Sequence, residues 1–313
     1  MLKKYIVTIL LLLPLLLAGQ QDHHYTQFMY NKLLYNPAYA GARGVPTATA
    51  LYRNQWVQLD GAPSSALVSL HAPVFSDRVG VGGLVSLNEI GLHRDYNLGL
   101  SYSFALVMKQ DFTLSLGLSG NLRMINMELD KAKPLFAFDP SLDGQRINDT
   151  YANFGAGVYA TFQERLFFGV SVPRIMKNNI GINETPGIVT ARETPHFYGT
   201  TGGIIPLGKD LNLLPAVLVK YVAYAPLDVD LNVNLEIMQK FTAGLSYRIG
   251  GDGSGESIDV LAYWRVNQLI GFGASYDITM SKLRDYSGGS FEFMLLADLK
   301  KRKKGMSNPR FFM

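Results

Sequence analysis

Cysteine is absent from this chain, which excludes disulfides and a lipoprotein anchor. Long apolar runs are nearly absent as well. The one continuous run covers residues 5–17, follows Lys3 and Lys4, is broken by Pro14 and precedes Ala18 and Gly19. It is too short to cross a bilayer as a helix, so residues 1–19 read as a Sec signal peptide of an exported protein. Charge is sparse at 17% of residues against 48% hydrophobic, far too apolar a balance for a disordered chain. Histidines number only five, four of them in the N-terminal third. A barrel hydrolase would need a histidine, a nucleophile or second acid, and an orienting group converging at one rim, and their spacing does not supply that set.

What the chain does have is alternation with a period of two. From Leu227 to Ile237, the residues Leu227, Val229, Leu231, Val233, Leu235 and Ile237 point one way and Asp228, Asp230, Asn232, Asn234 and Glu236 the other. The same pattern sets Tyr96, Leu98, Leu100, Tyr102, Phe104 and Leu106 against Asn97, Gly99, Ser101, Ser103 and Ala105. About fourteen such segments are expected, starting near Thr47, Ser64, Val79, Tyr96, Phe112, Asn153, Leu166, His196, Leu211, Leu227, Phe241, Ser257, Leu269 and Ser290. Apolar faces toward lipid and polar faces inward make this an all-β, transmembrane antiparallel barrel of the outer membrane.

The connections sort by length. Tight turns are expected at 76–78, 109–111, 163–165, 208–210, 239–240 and 267–268, and the intervening connections are mostly longer, above all 125–151 and 173–195. Outer-membrane barrels keep short turns in the periplasm and long loops outside, so both termini are expected on the periplasmic side. The 17 Phe and 17 Tyr residues suffice for two interfacial girdles. The chain then divides into a signal peptide (1–19), an N-terminal periplasmic or plug segment (20–46), the barrel (47–299) and a basic periplasmic tail (300–313). Fourteen strands enclose a lumen wider than wall side chains fill, which leaves water or a plug inside, and 20–46 is the internal candidate of adequate length.

Without the signal peptide and the tail, the body carries 21 basic residues against 25 acidic ones. The tail, with six Lys and Arg and no acid, reads as a solvated end or as a handle for an acidic periplasmic partner or phosphates. Nucleic acid is not an expected partner of an exported chain. No cofactor or metal motif emerges. The ladder Asp228, Asp230, Asn232, Asn234, Glu236 has the oxygens of a calcium loop, but Val233 stands where the sharp-turn glycine belongs and Gln239 at the twelfth position. The glycines at 250, 251, 253 and 255 lack a following Gly-Lys-Ser/Thr and form a loop, not a phosphate cradle.

Four blocks after the signal peptide carry a family resemblance: Gln27-Phe28-Met29, the run from Tyr35 to Gly41 (Tyr-Asn-Pro-Ala-Tyr-Ala-Gly), Tyr52-Arg53-Asn54-Gln55-Trp56, and Gly61-Ala62-Pro63. In that order they resemble the opening signature of the PorP/SprF family of type IX secretion system outer-membrane proteins. The likeness continues through Ser171-Val172-Pro173, Lys220-Tyr221-Val222, Gly244-Leu245-Ser246-Tyr247-Arg248 and Ser275-Tyr276-Asp277. It departs at Gly289-Ser290-Phe291-Glu292, where the family often has histidine in place of Phe291. The resemblance implies a non-enzymatic barrel needed for export or surface attachment of large proteins, often gliding adhesins, that carry a C-terminal sorting domain. It also implies contacts with periplasmic components of the secretion machinery and its motor.

Candidate partner-binding residues follow. Arg53, Gln55 and Trp56 are expected at the outer rim of the first strand, where a polar-aromatic patch could grip a client. Asn36, Pro37 and Tyr39, counted with them as partner-binding candidates, precede that strand and would fold into the lumen or against the periplasmic mouth, or only start the barrel and seal its first strand. A general diffusion porin is the alternative function, with the charged segment 127–150 as its constriction.

Overall fold

The structure, a computed structural model, describes residues 23–75, 78–109, 111–128, 131, 146–163, 165–180, 191–223, 225–250 and 256–300. The expected signal peptide and the tail beyond Lys300 lie outside the described residues.

Fourteen strands make the wall. The first half comprises β1 (Thr47–Asn54), β2 (Ser64–Val74), β3 (Val79–Ile90), β4 (His93–Lys109), β5 (Phe112–Glu128), β6 (Arg146–Phe162) and β7 (Leu166–Val172). In the connection after β7, β8 (Asn179–Ile180) and β9 (Ala191–Arg192) form a small hairpin of their own. The wall resumes with β10 (His196–Gly203), beside which β11 (Ile205–Pro206) pairs with β12 (Leu211–Val222). It finishes with β13 (Asp228–Ile237), β14 (Phe241–Ile249), β15 (Ser257–Arg265), β16 (Ile270–Thr279) and β17 (Ser290–Asp298). Sequence neighbours pair antiparallel throughout, β10 bridges β7 and β12, and β17 pairs with β1 from Thr47↔Asp298 to Asn54↔Phe291, which closes the barrel. Closure leaves no wall strand with an unpaired edge, the condition for a sheet to survive in hydrocarbon.

The faces are inverted relative to a water-soluble protein. Leu100, Leu118 and Leu245 are 60–66% exposed, whereas Asp230, Asn234 and Glu292 are 0–1% exposed. Outward aromatics collect at both strand ends. Phe162, Phe241, Trp264 and Phe272 lie toward the short-turn rim; Phe197, Tyr221, Tyr247, Tyr276 and Phe291 lie toward the long-loop rim. Those are the two interfacial belts the composition allowed.

Three expectations need adjustment. Strand β4 begins at His93 instead of Tyr96 and β6 at Arg146 instead of Asn153, and β5 runs to Glu128, so both ends of the expected 125–151 loop are continued hairpin. The extension is held by polar pairs, Arg94 with Glu89 at 2.8 Å and Arg123 with Asp95 at 2.6 Å. Beyond the bilayer the outer face need not be apolar, so alternation gives no cue there. For the same reason β3 and β4 meet in the two-residue turn Gly91-Leu92, a short connection on the long-loop side, with Gly91 at φ +56°. The third adjustment concerns the termini. Thr47 at the start of β1 and Asp298 at the end of β17 lie at the short-turn rim, as expected, and Leu299 N–H donates to Pro46 O there. Residues 23–46, however, run back through the lumen, so the described chain begins near the long-loop rim: Tyr25 meets Asn88 near the end of β3, and His24 meets Lys220 and Asp228.

Candidate functional site

The lumen is where the polar chemistry gathers. Its occupant is the segment 23–46, folded as three single-turn 3-10 helices at Phe28–Tyr30, Lys32–Leu34 and Pro37–Tyr39. Asn36 starts the last of them. Its side-chain oxygen accepts from Ala38 N–H at 2.9 Å, with Pro37 at the first helical position, and its amide donates to Val158 O of β6 at 2.9 Å. Tyr39 is buried edge-on between Tyr159 of β6 and His71 of β2, each at 5.3 Å between ring centroids. Phe28, Met29 and Leu33 are 0–5% exposed, and burial on this scale stabilises by about 1.5–3 kcal/mol per side chain. The wall makes room for the backbone: a Cβ at Gly117 of β5 would overlap Ala38, and one at Gly80 of β3 would overlap Ala40.

Charges lock the two ends of the segment. At the short-turn end Arg43 forks onto Asp298 at 3.0 and 3.1 Å through one nitrogen, and Thr47 Oγ1 donates to the same carboxylate at 2.8 Å. Toward the outer end, Glu292 accepts the backbone N–H groups of Thr26 and Gln27, both at 2.9 Å. Arg53 bridges Asp277 at 2.5 Å and Glu292 at 3.2 Å, and donates to Thr26 Oγ1. Arg248 pairs with Asp230 at 2.6 Å. Among the described residues, His24, Asp228 and Asp230 are grouped as metal ligands would be, but the Lys220 ammonium sits among them, 2.9 Å from Asp230 and 2.6 Å from His24 Nδ1.

The expected partner-binding residues are thereby divided. Asn36, Pro37 and Tyr39 are inside the lumen and packed. Arg53 is inside as well, 2% exposed, instead of at the rim. Alternation along β1 places Thr47, Thr49, Leu51 and Arg53 on the inner face, opposite the inward acids of β16 and β17; the sequence contained that signal, and reading the block as one rim patch overlooked it. Gln55 and Trp56 do sit at the long-loop rim. Trp56 has φ +48° and Gln58 φ +82°, uncommon for residues with side chains. Val57 exchanges backbone bonds with Gly288 and Gly289, and Trp56 N–H donates to Ser290 Oγ, so this turn is sewn to the β16–β17 loop.

A second cluster at the same rim was not anticipated. Glu193, 5% exposed, accepts from Asn153 at 3.0 Å and Asn178 at 2.8 Å and pairs with Arg123 and Arg174 at 3.4 and 3.5 Å. It fastens both ends of the β7–β10 connection over the lumen. The ladder Asp228, Asp230, Asn232, Asn234, Glu236 faces inward along β13, as lumen lining should.

Two solved structures share the fold. A Pseudomonas aeruginosa FadL homologue is 12% identical, with 90% of this chain and 100% of that one covered at a TM-score of 0.50. The CymD monoaromatic hydrocarbon channel is 11% identical over 89% of this chain and 93% of that one, at 0.53. Identities this low speak for architecture alone. No curated protein matches the chain in sequence. Residues 17–296 match the family described as Type IX secretion system membrane protein PorP/SprF.

Proposed function

The chain belongs to the PorP/SprF family of type IX secretion system membrane proteins, and from that premise we propose that it is a non-enzymatic outer-membrane barrel that holds a large secreted surface protein at its long-loop rim. The client is recognised through its C-terminal sorting domain, for export or for attachment, and its surface role is adhesion in gliding motility. The short-turn rim and the basic tail face the periplasmic secretion and motor components.

One observation favours this reading over a diffusion porin: residues 23–46 run along the lumen, and most of their side chains are buried against the wall. Solute flux needs a continuous aqueous path, and a segment packed along the lumen obstructs it. A client grip needs only a rigid outer rim, which the Glu193 cluster and the Val57 to Gly289 bonds provide. The test is a deletion strain analysed by surface proteomics with solute uptake measured in parallel. One or a few large surface proteins should disappear while other type IX cargo remains. An unchanged surface proteome with reduced uptake would overturn the proposal in favour of the porin.

A further inference from the structure

We propose that the lipid-facing wall binds one anionic glycerophospholipid of the periplasmic leaflet, its acyl chains in an oblique apolar groove and its phosphate on Lys240. The groove has a volume of about 760 Å³ and crosses the outward face from the end of β13 over β14–β17 to β1 and β2. Ala243, Ala262 and Ala274 form part of its floor, directly opposite one another on three neighbouring strands and turned outward. Phe241, Trp264 and Phe272 make the next row toward the short-turn rim, and the rings of the first two lie parallel with centroids 6.3 Å apart. Phe293 of β17, opposite Ala274, walls the alanines on the far side.

The groove climbs as it crosses. At one end Phe241 directly follows the tight turn at 239–240; at the other, Val68 is separated from Val74, the last residue of β2 on the same rim, by about 20 Å of strand. A row running from strand to strand climbs in this way because the strands of such a barrel tilt by about 35–45°. The groove therefore opens at headgroup level and ends in hydrocarbon. It is several times roomier than the roughly 150 Å³ cavity that admits benzene, so it takes a long chain and not a small solute.

Charge at the mouth of the groove selects the headgroup. Four of the tight turns carry a basic residue together with an acid: Asp77 with Arg78, Lys109 with Asp111, Glu164 with Arg165, and Lys209 with Asp210. The turn under the groove has Lys240 and no acid, and Lys300, followed in sequence by Lys301, Arg302, Lys303 and Lys304, continues the acid-free stretch. Lys240 and Lys300 are exposed and form no ion pair among the described residues. The acids of this sector turn inward and are engaged: Glu236 accepts from Asn212 at 2.8 Å, and Asp298 holds Arg43 at 3.0 Å. An occupant that suits both the groove and the free ammonium at its mouth is apolar along most of its length and anionic at one end. Phosphatidylglycerol has that form, whereas phosphatidylethanolamine carries an ammonium of its own that competes for the phosphate. The rim is the one assigned to the periplasm, so the leaflet in reach is the one built of glycerophospholipids.

Native mass spectrometry of the detergent-purified full-length barrel tests the site, with heat-modifiable migration confirming that each variant is folded. Phosphatidylglycerol and phosphatidylethanolamine with identical chains are offered in competition. The natural chain should retain one phosphatidylglycerol with a preference of about fivefold. Lys240→Gln should lose that preference, and Lys109→Gln, in a turn that carries its own acid, should keep it. Ala262→Phe should fill the floor and lower retention of both lipids, while Leu118→Phe, on the lipid face of β5, should leave it unchanged. If Ala262→Phe does not assemble, Ala274→Phe is read in its place. Equal retention of the two lipids by the natural chain, or equal loss in Ala262→Phe and Leu118→Phe, overturns the site and leaves only ordinary annular lipid. A lipid-free dimer of the natural chain that Ala262→Phe abolishes also overturns it, in favour of a contact between barrels.

Discussion

Arg53 illustrates how one residue changes meaning once its direction is known. As a rim residue it would be an interface anchor; as a lumen residue it neutralises two acids and ties Thr26 to the wall. Replacing it with methionine leaves Asp277 and Glu292 without their main cation at a water-poor site, and removing one member of a buried ion pair costs about 3–5 kcal/mol. Urea unfolding of the detergent-solubilised Arg53→Met barrel should show that loss, and an unchanged midpoint would return Arg53 to the rim. Face assignments can be tested in the same way. Leu231→Arg, which turns toward lipid, should cost about 2–4 kcal/mol near the midplane. An open lumen would accept Asn232→Arg, but Asn232 is 2% exposed, so this variant should also assemble poorly. Normal folding yield for Asn232→Arg would show that the inner space is looser than described.

At the scale of elements, the plug segment and the wall are matched to each other. Gly117 and Gly80 let strands approach the plug backbone, Asn36 caps a helical turn while bonding β6, and Glu292 accepts two plug N–H groups. Gly117→Leu should therefore displace Ala38 and expose the segment to protease, while Gly120→Leu, with open space around its Cβ position, should not. Limited proteolysis of the two purified variants separates these outcomes. Deleting residues 25–42 behind an intact signal peptide should convert a silent barrel into a conducting one in planar bilayers, since the wall alone encloses a wide lumen. Equal conductance before and after deletion would mean that the segment does not block the path. Asn36, Pro37 and Tyr39 would then lose the sealing role their burial gives them.

The whole molecule is polarised along the barrel axis. Short turns and the β1–β17 seam mark one rim; the Glu193 cluster, the β8–β9 hairpin and the loop after β16 mark the other. A protease site placed after Lys300 should resist cleavage in intact cells and be cut once the outer membrane is opened, whereas one beside Lys177 should be cut in intact cells. The reverse pattern would invert the orientation, and the client-holding rim with it.

Alternation with a period of two fixed the strand number, which face meets lipid, and most strand starts, because hydrocarbon selects every outward residue one at a time. Loop lengths likewise assigned the rims. The polar upper parts of β4, β5 and β6 were invisible to that reading, since water imposes no such selection above the bilayer. Sequence also could not decide whether 20–46 would lie in the periplasm or fill the lumen: a segment with Phe28, Met29, Leu33 and Tyr39 needs burial, but its partners are glycines, tyrosines and acids contributed by strands up to 266 positions away. Only closure of the barrel brings Glu292, Asp277 and Arg53 around Thr26, and only that closure turns a surface signature into a packed interior.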